Sequence, residues 1–168
     1  MKKIAIIILL LTSIKSFSQS LLASNEETIF SFKTKNGKTV LLAKDRKNAY
    51  LIYRYGKDNK IELEFPKDKK ESWNKFTYFY YIRGGGKANA GLDLDRIAFV
   101  NANIEYVIYS DYSAGDFENE ESYYIGIRVI DLKTKKETNI KGQKESTVGS
   151  MQDFRTNGLL KIDQNRID

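Results

Sequence analysis

Five carboxylates and no basic residue stand in SDYSAGDFENEES, residues 110–122: Asp111, Asp116, Glu118, Glu120 and Glu121. Such a run repels itself and, at a loop tip between two strands, is mostly solvated. The chemistry it offers beyond solvation is a negative surface for a basic partner, whose encounter complementary charge speeds and orients. Phe117 in its middle adds an apolar anchor that solvation alone does not explain. A cation held by the same carboxylates is the weaker alternative.

A second stretch, YIRGGGKANAGLDLD at residues 81–95, has the glycines of a ligand-cradling loop. A phosphate loop needs glycine, four residues, then Gly-Lys-Ser/Thr opening a helix. Here Gly86-Lys87 is followed by Ala88, and the position five before Gly86 is Tyr81. A dinucleotide fingerprint fails too, because no helical period follows. The stretch reads as a flexible connection between two strands, or as a surface loop that orders against a partner, with Arg83 and Lys87 as its charges. Asp93 and Asp95 alternate, so they meet on a cation only if the loop folds back, and the full calcium-loop pattern is absent. Glu62 and Glu64 share a strand face and suggest paired-carboxylate hydrolysis. Their alternation with Ile61, Leu63 and Phe65 is that of any half-buried strand.

The chain has no histidine and no cysteine. That removes Ser-His-Asp and Cys-His nucleophile systems, His-ligated zinc and histidine bases. A non-enzymatic protein without cofactor or metal is the expectation. An enzyme here would have to work with carboxylates, Lys, Tyr or Ser alone.

The elements that hold these residues read as all-β. Short β-branched and aromatic runs alternate with turn residues. The expected strands are Thr28–Lys33, Thr39–Lys44, Ala49–Tyr55, Ile61–Phe65, Phe76–Arg83, Arg96–Asn101, Ile104–Ser110, Ser122–Asp131, Glu137–Lys141 and Gly158–Ile162. Asn36-Gly37 marks a hairpin, and Pro66 ends the fourth strand. One helical turn fits KDKKESWNK, with Trp73 packing back on the sheet, and Ser150–Phe154 reads as a short helix. The spacing and the doubly apolar run Val40-Leu41-Leu42 predict an antiparallel sandwich or barrel of about ten strands with one short helical segment. Eleven tyrosines lie in or beside strands; a flat exposed row of them would suit sugar stacking or a protein interface.

The first residues, MKKIAIIILLLTSIKSFSQS, have the layout of a signal peptide: Lys2 and Lys3, an apolar run from Ile4 to Leu11, then Ser16 and Ser18 before Gln19. The alternative is an N-terminal anchor helix, but Lys15 interrupts the run and it is short for a stable span. The reading is a signal over 1–18 and a single all-β domain over 19–168, periplasmic or secreted, with no stable membrane anchor. Cleavage takes Lys2, Lys3 and Lys15 from the 28 basic residues, leaving 25 against 22 acidic ones, so the formal charge falls from +6 to +3. That is weak support for nucleic acid.

The run GKTVLLAKDRKNAYLIYRYGKDNKIELEFP, with YYIRGGG, IAFVNANIEYVIY and YIGIRV, resembles small periplasmic immunity and lysozyme-inhibitor-type proteins of Gram-negative bacteria. The resemblance implies a signal-bearing, all-β, non-enzymatic binder of a secreted cell-wall hydrolase or toxin. The Ser-Gly-Ser…Tyr signature and the cysteine framework of the C-type inhibitors are absent, so no family residue carries over. The expected partner-binding residues are those of the two stretches: Asp111, Asp116, Phe117, Glu118, Glu120 and Glu121, with Arg83 and Lys87. The alternative is a carbohydrate- or peptidoglycan-binding module using exposed tyrosines.

Overall fold

The computed structural model describes residues 21–58, 60–85, 90–115 and 120–166; the expected signal, residues 1–18, lies outside them. The protein is all-β. Ten strands form one sheet: β1 (Glu26–Thr34), β2 (Thr39–Asp45), β3 (Leu51–Lys57), β4 (Lys60–Phe65), β5 (Thr77–Arg83), β6 (Leu92–Asn101), β7 (Ile104–Ser113), β8 (Ser122–Asp131), β9 (Glu137–Gly149) and β10 (Lys161–Ile162). Their order in space is β10-β5-β6-β7-β8-β9-β1-β2-β3-β4. The sheet curls into a half-barrel whose edge strands, β4 and β10, are not paired with each other. Two antiparallel meanders, β1–β4 and β5–β9, are sewn together by β1 against β9. Among the described residues the one parallel pair is β10 on β5, through Lys161–Thr77 and Ile162–Tyr78.

The Asn36-Gly37 hairpin forms as its sequence dictates. Gly37 takes φ 76° and its N–H donates to the Thr34 carbonyl at 2.9 Å. Two single 3-10 turns, Ser72–Lys75 and Gln152–Arg155, supply the helical residues. Trp73 packs back as expected, edge-on to Phe154 at 6.2 Å, with its indole N–H on the Asn48 carbonyl at 2.9 Å.

Curling brings the two ends of the sheet face to face over one apolar core. Phe65 of β4 stacks on Phe99 of β6 at 4.4 Å, and Phe99 on Tyr106 of β7 at 4.9 Å. Tyr53 of β3 meets Phe99 at 4.9 Å. Each such ring pair adds about 0.5–1.5 kcal/mol beyond its burial, so the aromatic row clasps the two meanders across the open side. On the convex face, Leu21 and Leu22 pack over Leu41, Ala43, Tyr50 and Ile52. Beside them Glu26, 0% exposed, accepts two hydrogen bonds from Arg54, at 2.5 and 2.9 Å.

Three strands outrun their expected ends by three residues or more. β6 begins at Leu92 instead of Arg96, β7 continues to Ser113 and β9 to Gly149. In β6 the extension alternates leucine with aspartate, and Asp93 and Asp95 find Arg155 inside the half-barrel; in β7, Asp111 finds Arg96 on the opposite face. Residues 110–113 are therefore strand, and the loop between β7 and β8 starts at Ala114.

Candidate partner-binding end

The registers decide how the two stretches of interest relate. Leu92 of β6 pairs with Ser113 of β7, so the β5–β6 and β7–β8 connections leave the same end of the sheet. The Ala114 N–H donates to the Gly91 carbonyl at 2.9 Å, and a Cβ on Gly91 would lie 3.5 Å from the Ala114 Cβ. The two hairpin ends thus run side by side in van der Waals contact.

The expected site residues separate on this frame. Arg83, at the end of β5, donates to the Ala90 carbonyl at 3.2 and 3.1 Å and ties its own connection together. Asp111 sits within β7 and is ion-paired with Arg96 at 3.0 Å. Glu120 and Glu121 are exposed where the chain enters β8. Asp116, Phe117, Glu118 and Lys87 lie outside the described residues. Glu62 and Glu64, the paired carboxylates of β4, each serve a separate cation: Lys38 at 2.5 Å and Arg54 at 2.7 Å.

Beneath the two connections, the concave face carries two rows in register. The outer row is Ile82, Asp93, Tyr112, Tyr123, one residue from each of β5 to β8. The inner row is Tyr80, Asp95, Ser110, Ile125. At strand spacings of about 4.8 Å each row spans roughly 14 Å. A hollow of about 280 Å³ opens between Asp93, Asp95, Ser110, Tyr112 and Tyr123. The Ser110 and Tyr123 hydroxyls lie 3.0 Å apart.

Asp93 and Asp95 do converge on a cation, but it is the protein's own. Arg155, from the second 3-10 turn, donates to Asp95 at 2.6 and 3.0 Å and also to Asp93. Gln152 donates to Asp93 at 3.0 Å, and the Tyr78 hydroxyl donates to Asp95. Burial pushes the Asp95 carboxyl above the usual carboxylate range, with the neighbouring Asp93 charge adding to it, against the pull of Tyr78 and Arg155. Burial likewise pushes the Tyr78 phenol up, and Asp95 adds to it. Among the described residues no group of three carboxylates gathers as a metal site would require. No described helix is long and apolar enough to cross a membrane.

Sequence reasoning missed two residues of this end. Ile82 is 55% exposed, and Tyr80 is exposed beside it. Both point into the concave rim from β5, whose outer edge is covered by β10 only at Thr77 and Tyr78. The alternation in TYFYYIR places Tyr78, Tyr80 and Ile82 on one face, but nothing local says that β10 stops short of the last two.

No family model, curated protein or solved structure matches the chain. The geometry of the site alone therefore carries the functional reading.

Proposed function

We propose that the protein is a secreted or periplasmic binding protein without enzymatic activity, an inhibitor or immunity protein directed at a cell-wall hydrolase or toxin. The observation that carries this reading is Ile82. A large aliphatic side chain stays 55% exposed on an uncovered strand edge, in one row with Asp93, Tyr112 and Tyr123. An apolar anchor among tyrosines, rimmed by Glu120 and Glu121, has the make-up of an interface centre and its polar rim. The acidic rim suits a basic hydrolase, since opposite charge raises the encounter rate.

The test adds the purified protein to a basic lysozyme-type muramidase acting on a cell-wall suspension. Inhibition saturating at one equivalent is expected. It should weaken more than tenfold on Ile82→Asp and on joint Glu120→Lys and Glu121→Lys change. Undiminished lysis at every ratio, with muramidases, amidases and endopeptidases alike, would sink the reading.

A glycan-binding role has one observation of its own. Of the eleven tyrosines, two are exposed: Tyr80 and Tyr124, the latter at 61%. They lie on opposite faces of the sheet, so a continuous row of rings does not form. What remains is a single ring platform at Tyr124 on the convex face.

A further inference from the structure

We propose that the convex groove over β6 to β9 binds an acidic saccharide, a chain whose rings bear carboxylate or phosphate groups. The inference rests on the glycan reading and gives it a site and a ligand class. The groove has a volume of about 710 Å³, within the range of ligand-binding clefts.

Its floor is rigid. Tyr109 faces Gly126 across the β7–β8 ladder, and its hydroxyl donates to the Asn139 side chain of β9 at 2.9 Å. A Cβ at position 126 would lie 2.4 Å from that hydroxyl and 2.6 Å from the Ile140 carbonyl. Glycine there lets the phenol ring lie across β8, as aromatic residues cover glycines in sheets. The Arg96–Asp111 pair closes the side toward β6. From this floor rises Tyr124, its ring in solvent.

The rim is cationic and assembled from separate segments. Lys35 comes from the β1–β2 hairpin, Lys141 from β9, and Lys144 from the stretch where β9 leaves its register with β1 between Gln143 and Val148. Arg128 of β8 and Glu145 also line the groove. Three lysines outside the groove have acidic neighbours: Lys38 has Glu62 at 2.5 Å, Lys44 has Glu27 at 2.6 Å and Lys69 has Glu26 at 3.6 Å. Lys35, Lys141 and Lys144 are exposed and have no carboxylate within 4 Å among the described residues. Positive charge left uncompensated along a groove attracts anions. The exposed ring, with the amides of Asn139 and Gln143 nearby, selects an anion carried on a flat, hydroxyl-rich frame over a bare acidic peptide.

The test measures binding of the full protein to oligogalacturonate, to a phosphorylated maltooligosaccharide and to neutral maltooligosaccharide of equal length by titration calorimetry at low and high salt. The acidic chains should bind at least tenfold tighter than the neutral one and weaken with salt. Lys141→Glu with Lys144→Glu should lower their affinity tenfold or more, and Tyr124→Ala several-fold. Lys67→Glu with Lys70→Glu, remote from the groove, should leave it unchanged. Neutral chains bound as well as acidic ones, with the groove lysines silent and Tyr124 required, would overturn the acidic ligand and leave the glycan reading standing. No binding of any glycan would remove both. A polyglutamate peptide bound as tightly, insensitive to Tyr124→Ala, would reduce the groove to plain charge and overturn the proposal.

Discussion

Glu26 and Asp95 are both buried carboxylates gripped by an arginine, yet the protein pushes their acidities in opposite directions. Burial acts to raise both. At Glu26 it is outweighed by Arg54, by the Ala23 N–H at 2.9 Å and by the Tyr50 hydroxyl at 3.0 Å, so the carboxyl falls from 4.5 to about 2. At Asp95, 4% exposed, the arginine is shared with Asp93, whose charge also opposes ionisation, and burial wins. An arginine neighbour therefore does not by itself fix a carboxylate as an anion. What decides is how many donors converge and whether a second carboxylate competes for them. The Glu26 cluster is a structural clamp joining β1 to β3. The Asp95 cluster lies under the proposed binding end and can neutralise itself.

The most damaging break is on the clamp side. Arg54→Met leaves Glu26 ionised, buried and without its guanidinium, and should cost about 3–5 kcal/mol in urea unfolding. Arg155→Met should cost less, about 1–3 kcal/mol, because Asp95 can take up a proton and keep its Tyr78 hydrogen bond. Equal losses would erase the distinction.

Acidity sharpens the contrast. Glu26 is more acidic folded than unfolded, so its contribution is complete above pH 4.5 and is lost as the pH falls toward 2. Asp95 is less acidic folded than unfolded, so its ionisation costs nothing below pH 3.8 and destabilises as the pH rises through its folded value. The stability of Asp95→Asn relative to the natural protein should accordingly improve as the pH is raised from 3.8 to neutrality. A difference that stays constant across that window would contradict the raised acidity. Smallest of all is Ile82→Asp, which removes an exposed side chain and should change stability by no more than about 0.5 kcal/mol. A larger loss would mean that Ile82 supports the fold instead of the binding end.

The number of strands was legible because β-branched and aromatic runs, Asn36-Gly37 and Pro66 are local signals. The reach of β6, β7 and β9 was not. Asp93, Asp95 and Asp111 look like loop residues until Arg155 and Arg96 arrive from elsewhere in the chain to neutralise them. The exposure of Ile82 was hidden for a related reason, since it depends on where a two-residue strand some eighty positions later comes to rest. Nothing local marks Lys35, Lys141 and Lys144, and only the β1–β9 register gathers them.

That register also sets the order in which the molecule can assemble. Each meander is built from neighbouring hairpins and can form from local contacts. The seam between them pairs Phe30 with Gly149, positions 119 apart, and non-local pairing of this kind is slow. The N-terminal strand must keep its outer edge open until nearly the whole chain is present. If the chain is exported as proposed, this postpones completion of the sheet until the last strands have crossed, and a chain that cannot close early remains threadable.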